Sequence, residues 1–268
     1  MASPDLLSLA GQRALVTGAA TGIGKGIVEA LAKAGADVAL NYRSHGEEAE
    51  KLARTVEAMG GKAVALQADV SKEAEVISLF DAAERDLGPI DIVVSNAGLQ
   101  RDAKIADMTL EDWNTVIEVN LTGSFLIGRE AIRRFRGKGM GQSRSLGKLV
   151  FNSSVHQRIP WAFHANYAAS KGGLKLLMES LAQEVAPERI RVNAIGPGAI
   201  ATAINAAERE GDGEKEMLKL IPYGRIGEPE DIGRCVAWLV SDAADYVVGQ
   251  TIFIDGAMTL YPEFRGNG

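Results

Sequence analysis

Apolar residues in the first part of the chain fall in short runs that alternate with longer segments of helical periodicity. The runs at 14–18, 36–44, 62–71 and 89–98 predict strands, because each is short, apolar and bounded by residues that favour turns. Amphipathic segments such as 47–61 separate these strands. The alternation predicts an α/β protein whose parallel sheet is covered by helices on both faces.

The second half of the chain continues the alternation. The pattern predicts a helix at 109–135 that begins at Thr109, a strand at 148–154, a strand at 189–202, a helix at 223–242 and a last strand within 249–264. Because we see neither a low-complexity linker nor a second core pattern, we expect one domain over residues 1–268.

The first strand runs directly into a glycine-rich turn and a helix. Glycine allows a sharp turn and a close backbone approach, and the N-terminus of the next helix offers free N–H groups to a phosphate. A plain tight turn is the alternative, but the strand before and the helix after favour a nucleotide site. The candidate phosphate-binding residues are Gly18, Thr21, Gly22, Ile23 and Gly24.

The end of the second predicted strand carries no carboxylate. In nucleotide-binding folds an acidic residue at this point holds a ribose 2′-hydroxyl, whereas an arginine accommodates a 2′-phosphate. This chain has Arg43 and Ser44 there. The residues therefore favour NADP, with NAD also accepted; the alternative is that Arg43 is only a solvated surface charge.

Two further strand ends add candidates for the same site. Asp69 and Val70 end the third predicted strand, where Asp69 could accept a hydrogen bond from an adenine amino group. The alternative is that Asp69, or Ser71 after it, caps the following helix. The fourth strand leads into a second set of candidates, Asn96, Ala97 and Gly98, whose small side chains would let a cofactor lie against the backbone.

A tyrosine and a lysine four residues apart follow a serine in the predicted strand at 148–154. Tyr167 and Lys171 lie in a helical pattern, where positions i and i+4 share one face. We expect the ammonium to lower the pKa of the phenol, giving a general base near neutral pH, and Ser154 to meet the phenol from its strand. The alternative is a chance surface pair of Tyr167 and Lys171.

Taken together, these motifs resemble those of the classical short-chain dehydrogenase/reductase family over essentially the whole chain. The matching pieces are TGAATGIG (17–24), Asp69-Val70, NAG (96–98), Asn120 within VIEVNLTGSF, Ser154, YAASK (167–171) and PGAIAT (197–202). The resemblance implies a Rossmann-like, doubly wound, mostly parallel seven-stranded sheet, a nicotinamide cofactor and hydride transfer.

The resemblance also implies roles for individual residues. Tyr167 would move the alcohol proton, Ser154 would fix the reacting oxygen, Lys171 would also hold the nicotinamide ribose, and Asn120 would help hold a water that links Lys171 to solvent. An alternative for Asn120 is a satisfied buried amide. The residues that would border the nicotinamide and pyrophosphate after the sixth strand are Pro197, Gly198, Ile200 and Thr202.

Within the family, the stretches SSVHQRIPW, YAASKGGLKLLMESLA and GAMTLYPEF look most similar to bacterial glucose 1-dehydrogenases, which oxidise glucose to gluconolactone. Those enzymes have a glutamate where this chain has Gln100. The substrate candidates are Gln100, Ser154, His156, Trp161, Tyr167 and Asn205. A carbonyl or 3-oxoacyl reductase remains open, as does an NADP-binding sensor without turnover.

Composition and charge limit the kinds of molecule that this protein is expected to bind. A net charge of −6 disfavours nucleic acid, and one cysteine excludes an internal disulfide. No run spans a bilayer, no signal-peptide layout precedes the first strand and no metal-ligand cluster is visible, so we expect a cytoplasmic protein without metal. We expect a mobile lid at 203–222 and, from Leu260, Tyr261 and Phe264, a homotetramer like others in that family.

Overall fold

A computed structural model describes residues 5–202 and 213–260. Within these residues seven strands form one sheet in the order β3-β2-β1-β4-β5-β6-β7, and every neighbouring pair is parallel. The strands are β1 (Arg13–Val16), β2 (Asp37–Tyr42), β3 (Ala63–Gln67), β4 (Ile92–Ser95), β5 (Gly147–Asn152), β6 (Ile190–Pro197) and β7 (Thr251–Ile254). The predicted Rossmann-like architecture is confirmed.

Helices connect the strands and cover both faces of the sheet. They are α1 (Gly22–Lys33), α2 (Gly46–Ala58), α3 (Glu73–Leu87), α4 (Leu110–Ile117), α5 (Gly123–Gly137), α6 (Ala165–Val185), α7 (Gly213–Lys219) and α8 (Pro229–Val240). Short 3₁₀ turns lie at Val155–Gln157, Ala186–Glu188 and Asp242–Ala244.

Alternate strand residues enter two separate cores, as the period-two geometry of a strand requires. In β1, Ala14 and Val16 pack in the core that α1, α2 and α8 cover. Leu15, between them, packs in the opposite core with α3, α5 and α6. All three side chains are fully buried, which explains why β1 reads as a continuous apolar run.

The strand order reverses between β1 and β4. In doubly wound sheets the crevice outside the carboxyl ends of the strands at this point is the usual ligand site. The loops after β1, β4, β5 and β6 meet there, and α1 begins there. Most of the predicted site residues lie on these loops.

The long helix predicted at 109–135 is interrupted. Its N-cap is confirmed, because the Thr109 side chain accepts a hydrogen bond from the Asp112 N–H at 3.0 Å. A π-helical turn over Glu118–Thr122 then separates α4 from α5 and carries the buried Asn120 at its centre. Such a turn is invisible to a periodicity argument, because its neighbours on both sides keep the ordinary helical pattern.

The prediction that Asp69 or Ser71 caps α3 is wrong. Lys72 occupies the N-cap position of α3. The Asp69 carboxylate instead accepts hydrogen bonds from the Ser71 N–H at 2.9 Å and from the Ser71 hydroxyl at 2.8 Å. Asp69 therefore closes its own local turn at the edge of the crevice.

Two adjacent glycines inside α6 have different reasons to be there. A Cβ at Gly173 would lie 3.0 Å from Leu121 Cδ2, so close packing against the π-turn explains this glycine. A Cβ at Gly172 would meet nothing within 4 Å. Close packing therefore explains Gly173 and not Gly172.

We expect Gly172→Ala to stabilise the protein by about 0.5–1 kcal/mol, because alanine removes the entropic penalty of a helical glycine without a clash. Urea denaturation of the variant and the parent measures the change in the free energy of unfolding. Gly173→Ala is the matched comparison and should gain less or lose stability. A lower midpoint for Gly172→Ala would contradict the open environment at this position.

Candidate active site

The glycine turn brings three backbones together. Gly18 and Gly22 have φ angles of +60° and +54°, which favour glycine. Gly24 lies in the first turn of α1, and a Cβ there would lie 2.1 Å from the Gly18 carbonyl oxygen. At all three positions a Cβ would crowd neighbouring protein atoms, so only glycine forms this cradle, which leaves the N-terminus of α1 open to a phosphate.

Asn96 ties the glycine turn to the end of β4. Its Nδ2 donates to the carbonyl oxygens of Thr17 at 2.9 Å and Gly18 at 3.0 Å. The Thr17 hydroxyl oxygen accepts from the N–H groups of Asn96 and Ala97 in return. The two strand ends on either side of the switch point are thus fixed relative to one another.

The end of β2 carries the residues predicted to select the cofactor. Arg43 is exposed, and its Nη1 lies 4.0 Å from an Asp69 carboxylate oxygen. Burial of Asp69 acts against ionisation, but the two hydrogen bonds from Ser71 and the charge of Arg43 hold the pKa of Asp69 below its ordinary value. A guanidinium and a carboxylate therefore face each other where the adenosine half of a dinucleotide would lie.

His45 also lies beside these residues, and it was not among the predicted site residues. It lies at the N-cap of α2 with a φ of +69°, and its Nδ1 is 3.1 Å from the Ser44 hydroxyl oxygen. Both side chains line the crevice beside Arg43. One weak signal was visible, a polar residue just ahead of the helical pattern at 47–61.

The phenol of Tyr167 lies at the opposite end of the crevice. Ser154 from the loop after β5 and Gln100 from the loop after β4 line the same crevice. Burial raises the pKa of the Tyr167 phenol, and hydrogen bonding from Ser154 and Gln100 acts in the opposite direction. The structure thus brings Tyr167 and Ser154 to one crevice, and their catalytic pairing stays a prediction.

Lys171 lies one helical turn from Tyr167, but its ammonium has another partner. Nζ donates to the Asn152 carbonyl oxygen at 2.8 Å and lies 5.5 Å from the centroid of the Tyr167 ring. Burial lowers the pKa of Lys171 to about 8. In the chain alone burial dominates and raises the phenol pKa, so the effect of this lysine on the phenol stays a prediction.

Asn120 is fully buried, and its side chain bonds only to the protein. Its Oδ1 accepts from the Leu99 N–H at 2.9 Å, and its Nδ2 donates to the Leu99 carbonyl oxygen at 3.0 Å and the Ser170 hydroxyl at 3.2 Å. The amide thus fixes the backbone of the loop after β4. This geometry matches the satisfied buried amide that the sequence left open as an alternative.

An aromatic stack forms the wall beyond the phenol. The Trp161 ring lies 3.5 Å from the His164 ring and 4.2 Å from the His156 ring, measured between centroids, with interplanar angles of 6° and 17°. Imidazoles therefore cover both faces of the indole, so that Trp161 offers only its edge to a ligand. His164 Nε2 also lies 3.0 Å from a carboxylate oxygen of Asp102.

The hydrogen-bond partner of His156 determines which of its ring nitrogens carries the proton. Nδ1 lies 3.1 Å from the Ile159 carbonyl oxygen, which can only accept, so Nδ1 carries the proton. Burial is the main cause that lowers the pKa of His156, and the charge of His164 acts in the same direction. The ring is therefore neutral at pH 7, and its Nε2 is a hydrogen-bond acceptor.

The crevice encloses about 1300 Å³ and runs from the glycine turn to the aromatic stack. Its lining includes all the predicted site residues except Asn120, which lies behind the loop after β4, and Asn205, which lies outside the described residues. The end of β6 and the loop after it also contribute to the lining, with Pro197, Gly198, Ile200 and Thr202. A Cβ at Gly22 would lie 3.3 Å from Thr202 Cγ2, so this loop reaches the glycine turn.

The predicted lid at 203–222 is only partly described. Residues 203–212 lie outside the described residues, and α7 follows them. Met217 and Leu220, at the end of this segment, line the substrate end of the crevice. Asn152 also lines it and was missed by the sequence analysis, since a polar residue at the end of a buried strand does not reveal that its carbonyl holds a lysine.

Within residues 5–202 and 213–260 no helix combines the length and the apolar character needed to cross a bilayer. No group of three or more His, Cys, Asp or Glu side chains in this part of the chain is placed to hold a metal ion.

Comparison with known proteins agrees with this geometry. The family model described as "Enoyl-(Acyl carrier protein) reductase" matches residues 18–259. The chain is 46% identical to 3beta-hydroxysteroid dehydrogenase 1 of Eggerthella lenta, covering 96% of this chain and 97% of that protein. It is 42% identical to glucose 1-dehydrogenase 2 of Bacillus subtilis, covering 95% and 97%.

Solved structures show the same relationship. A gluconate 5-dehydrogenase of Burkholderia cenocepacia, crystallised with NADP and tartrate, superposes with a TM-score of 0.88 at 34% identity, covering 96% of this chain and 98% of that one. The chain belongs to the short-chain dehydrogenase/reductase family, and is an NAD(P)-dependent oxidoreductase.

Proposed function

We propose that this enzyme oxidises a secondary alcohol on a ring, with Tyr167 as the general base. The observation that carries the proposal is that Tyr167, Ser154 and Lys171 line the same crevice as the glycine turn. Ser154 would donate a hydrogen bond to the reacting oxygen, and Tyr167 would take its proton. In the reverse direction the phenol returns a proton to a ketone.

The crevice fits a nicotinamide dinucleotide, because the cradle at Gly18, Gly22 and Gly24 has no side chain that would displace a pyrophosphate. When bound, the oxidised cofactor accepts a hydride, and its positive charge favours the phenolate. The residues that would hold it are Gly18, Thr21, Gly22, Ile23, Gly24, Arg43, Ser44, Asp69, Val70, Asn96, Ala97, Gly98, Tyr167, Lys171, Pro197, Gly198, Ile200 and Thr202. We also propose that Asn120 supports a proton path from Lys171, acting through the loop it fixes.

Glucose is the first candidate substrate, oxidised at C1 to the lactone. His156 supports this candidate, since its Nε2 accepts a hydrogen bond and could be matched by a sugar hydroxyl next to the reacting carbon. The amide of Gln100 can also bond a hydroxyl. The relative from Bacillus subtilis is named a glucose 1-dehydrogenase, which agrees with this choice.

A hydroxysteroid is a second candidate, favoured by a specific observation. The lining of the crevice includes a set of apolar side chains, namely Leu99, Val155, Ile159, Pro160, Met217, Leu220, Pro222, Met258 and Leu260. Such a surface suits an apolar ring system better than a polyol. The relative from Eggerthella lenta is named a 3beta-hydroxysteroid dehydrogenase.

Initial rates of cofactor reduction, measured with glucose, a 3β-hydroxysteroid and simple cyclic alcohols, separate these candidates. We expect turnover with glucose, and His156→Phe should raise the KM for glucose more than that for cyclohexanol. Turnover of the steroid alone would favour the second candidate. Turnover confined to ketones or 3-oxoacyl thioesters would identify a reductase and overturn the proposal for both alcohols.

We propose NADP as the preferred cofactor, with NAD also accepted. We expect Arg43→Ala to weaken NADPH binding about 10- to 100-fold, since a charge-assisted hydrogen bond contributes about 1.5–3 kcal/mol. NADH binding should change little, because NADH has no 2′-phosphate. Titration calorimetry with both cofactors measures the difference, and Arg54→Ala on the exposed face of α2 is the control. Equal losses for NADPH and NADH would contradict this role of Arg43.

Four further proposals concern the whole protein. We propose that residues 1–268 form one domain, that 203–222 closes over the substrate and that the enzyme is cytoplasmic. We also propose a homotetramer, for which Leu260 offers support because 67% of its side chain is exposed near the end of the described chain. Tyr261 and Phe264, which belonged to the same prediction, lie outside the described residues.

A further inference from the structure

The first turn of α6 carries the phenol, and no side chain caps it from the N-cap position. His164 occupies that position, and its side chain makes no hydrogen bond to the start of the helix. The Tyr167 N–H is one of the donors that a helix leaves unpaired in its first turn. It donates instead to Oδ1 of Asn166, at 2.8 Å. A residue inside the helix therefore satisfies the backbone of the phenol-bearing residue.

The amide of Asn166 also reaches two segments outside α6. Its Nδ2 donates to the Arg101 carbonyl oxygen at 2.9 Å, in the loop after β4, and to the Asp112 carbonyl oxygen of α4 at a longer 3.5 Å. Because Oδ1 faces an N–H and Nδ2 faces carbonyl oxygens, these partners assign the orientation of the amide. Asn166 is fully buried, so water does not replace any of these bonds. One amide thus links the loop after β4, α4 and the first turn of α6.

A second set of hydrogen bonds ties the same loop to the same turn. The Tyr167 carbonyl oxygen accepts from the Ser170 hydroxyl at 2.7 Å, and the Ser170 hydroxyl oxygen accepts from Asn120 Nδ2 at 3.2 Å. Asn120 in turn bonds both backbone polar groups of Leu99. Both backbone polar groups of Tyr167 are therefore bonded to side chains that lead to the loop after β4.

This loop borders the crevice that Tyr167 also lines. Leu99 and Gln100 are part of the lining, and the loop is held on one side of Gln100 at Leu99 and on the other side at Arg101. Neither of the two asparagines that hold it lines the crevice. The separation between this wall and the phenol-bearing turn is thus set by buried amides from behind.

We propose that Asn166 is a positioning residue, which holds the first turn of α6 against the loop after β4 so that Tyr167 meets the reacting oxygen of the substrate. The proposal rests on the proposed role of Tyr167 as the base. Asn166 touches neither substrate nor cofactor, and it acts through the backbone of Tyr167 and through Arg101.

Asn166→Asp separates the two halves of this role. One carboxylate oxygen can still accept from the Tyr167 N–H, and negative charge suits a helix N-terminus. The other oxygen would face the Arg101 carbonyl oxygen, which only accepts, so the link to the loop is lost. We expect kcat for alcohol oxidation to fall about 10- to 100-fold, since a displacement of about 1 Å can cost about 10²-fold. The KM for the alcohol should change less, and the affinity for NADPH should stay close to that of the parent.

Asn193 provides a matched control. It is buried in β6, where its Nδ2 donates to the Val247 carbonyl oxygen at 2.8 Å and its Oδ1 accepts from the Gln250 N–H at 3.0 Å. It does not line the crevice. Asn193→Asp should therefore lower the urea midpoint as Asn166→Asp does, but keep the parent kcat. Rates are expressed per NADPH-binding site, so that unfolded chains are not counted.

A second pair of variants, Asn166→Ala and Asn193→Ala, keeps the test decisive if an aspartate prevents folding. A fall in kcat per site in the Asn166 variants, with parent values in the Asn193 variants, supports the proposal. The fall should also disappear when Asn166→Ala is combined with Tyr167→Phe, because a residue that acts through Tyr167 has no effect once the phenol oxygen is gone.

Parent kcat in either folded Asn166 variant would overturn the proposal. An equal loss per site in the Asn193 variants would do the same, as would a loss that persists in the Tyr167→Phe background. The proposed function fails on a different result, which is full turnover by Tyr167→Phe alone.

Discussion

Tyr167→Phe should lower kcat/KM for alcohol oxidation about 10²- to 10⁴-fold, the contribution that a positioned general base makes to catalysis. The variant keeps the ring that packs edge-on to His156 and Trp161. It loses only the phenolic oxygen. NADPH affinity and the urea midpoint should therefore stay close to those of the parent, so that the loss lies in the proton transfer.

The matched control for this prediction is Tyr246→Phe. Tyr246 is fully exposed and does not line the crevice, so removal of its hydroxyl should leave kcat/KM unchanged. Steady-state rates with the best substrate of the panel, for parent and both variants, measure the effect. A Tyr167→Phe variant within threefold of the parent (a margin far below the effect expected of a general base) would exclude Tyr167 as the base.

Gly24→Ala should lower the affinity for the cofactor at least about 100-fold, which corresponds to about 3 kcal/mol of binding free energy. The added Cβ would lie 2.1 Å from the Gly18 carbonyl oxygen and 2.7 Å from Asn96 Nδ2. Since both are held by the hydrogen bonds between β1 and β4, the turn cannot move aside without breaking them. Overpacking of this kind also costs about 1–3 kcal/mol of stability.

Quenching of protein fluorescence by NADPH measures the affinity of Gly24→Ala, and circular dichroism confirms that the variant is folded. Gly172→Ala is the control, because it adds the same methyl group where nothing lies within 4 Å. A folded Gly24→Ala protein that binds NADPH as tightly as the parent would mean that the cofactor does not use this turn.

The sequence alone predicted the fold because each strand and turn is determined mainly by the residue pattern within it. Each strand of the sheet buries successive residues on both faces, so Ala14, Leu15 and Val16 read as one apolar run. The glycine cradle was equally visible, since Gly18 and Gly22 adopt backbone angles that few other residues tolerate. These constraints act within a single strand or turn, and they are therefore visible in its residue pattern.

The electrostatics of the candidate site could not be predicted in the same way. The spacing of Tyr167 and Lys171 correctly placed the two side chains on one helical face. It could not reveal that the ammonium bonds to the Asn152 carbonyl oxygen, since that contact depends on how α6 packs against β5. Nor could it show that burial raises the phenol pKa, because burial is a property of the assembled crevice.

The same limit applies to the loop after β4 and to the aromatic stack. Gln100 stood out only as a departure from the glutamate expected by resemblance, and the loop that carries it is held by two asparagines distant in sequence. Trp161 was predicted to face the substrate. Its two faces are covered by His156 and His164, an arrangement that no spacing rule contains.

The most direct test of the central claim, that ionisation of Tyr167 governs hydride transfer, is a single-turnover measurement across pH. The rate of cofactor reduction is recorded with a substrate deuterated at the carbinol carbon and with its unlabelled form, in the parent and in Tyr167→Phe. The account predicts a primary isotope effect and an acid limb in the parent, with that limb absent from the much slower variant. An acid limb of the same position and slope in both proteins would contradict it.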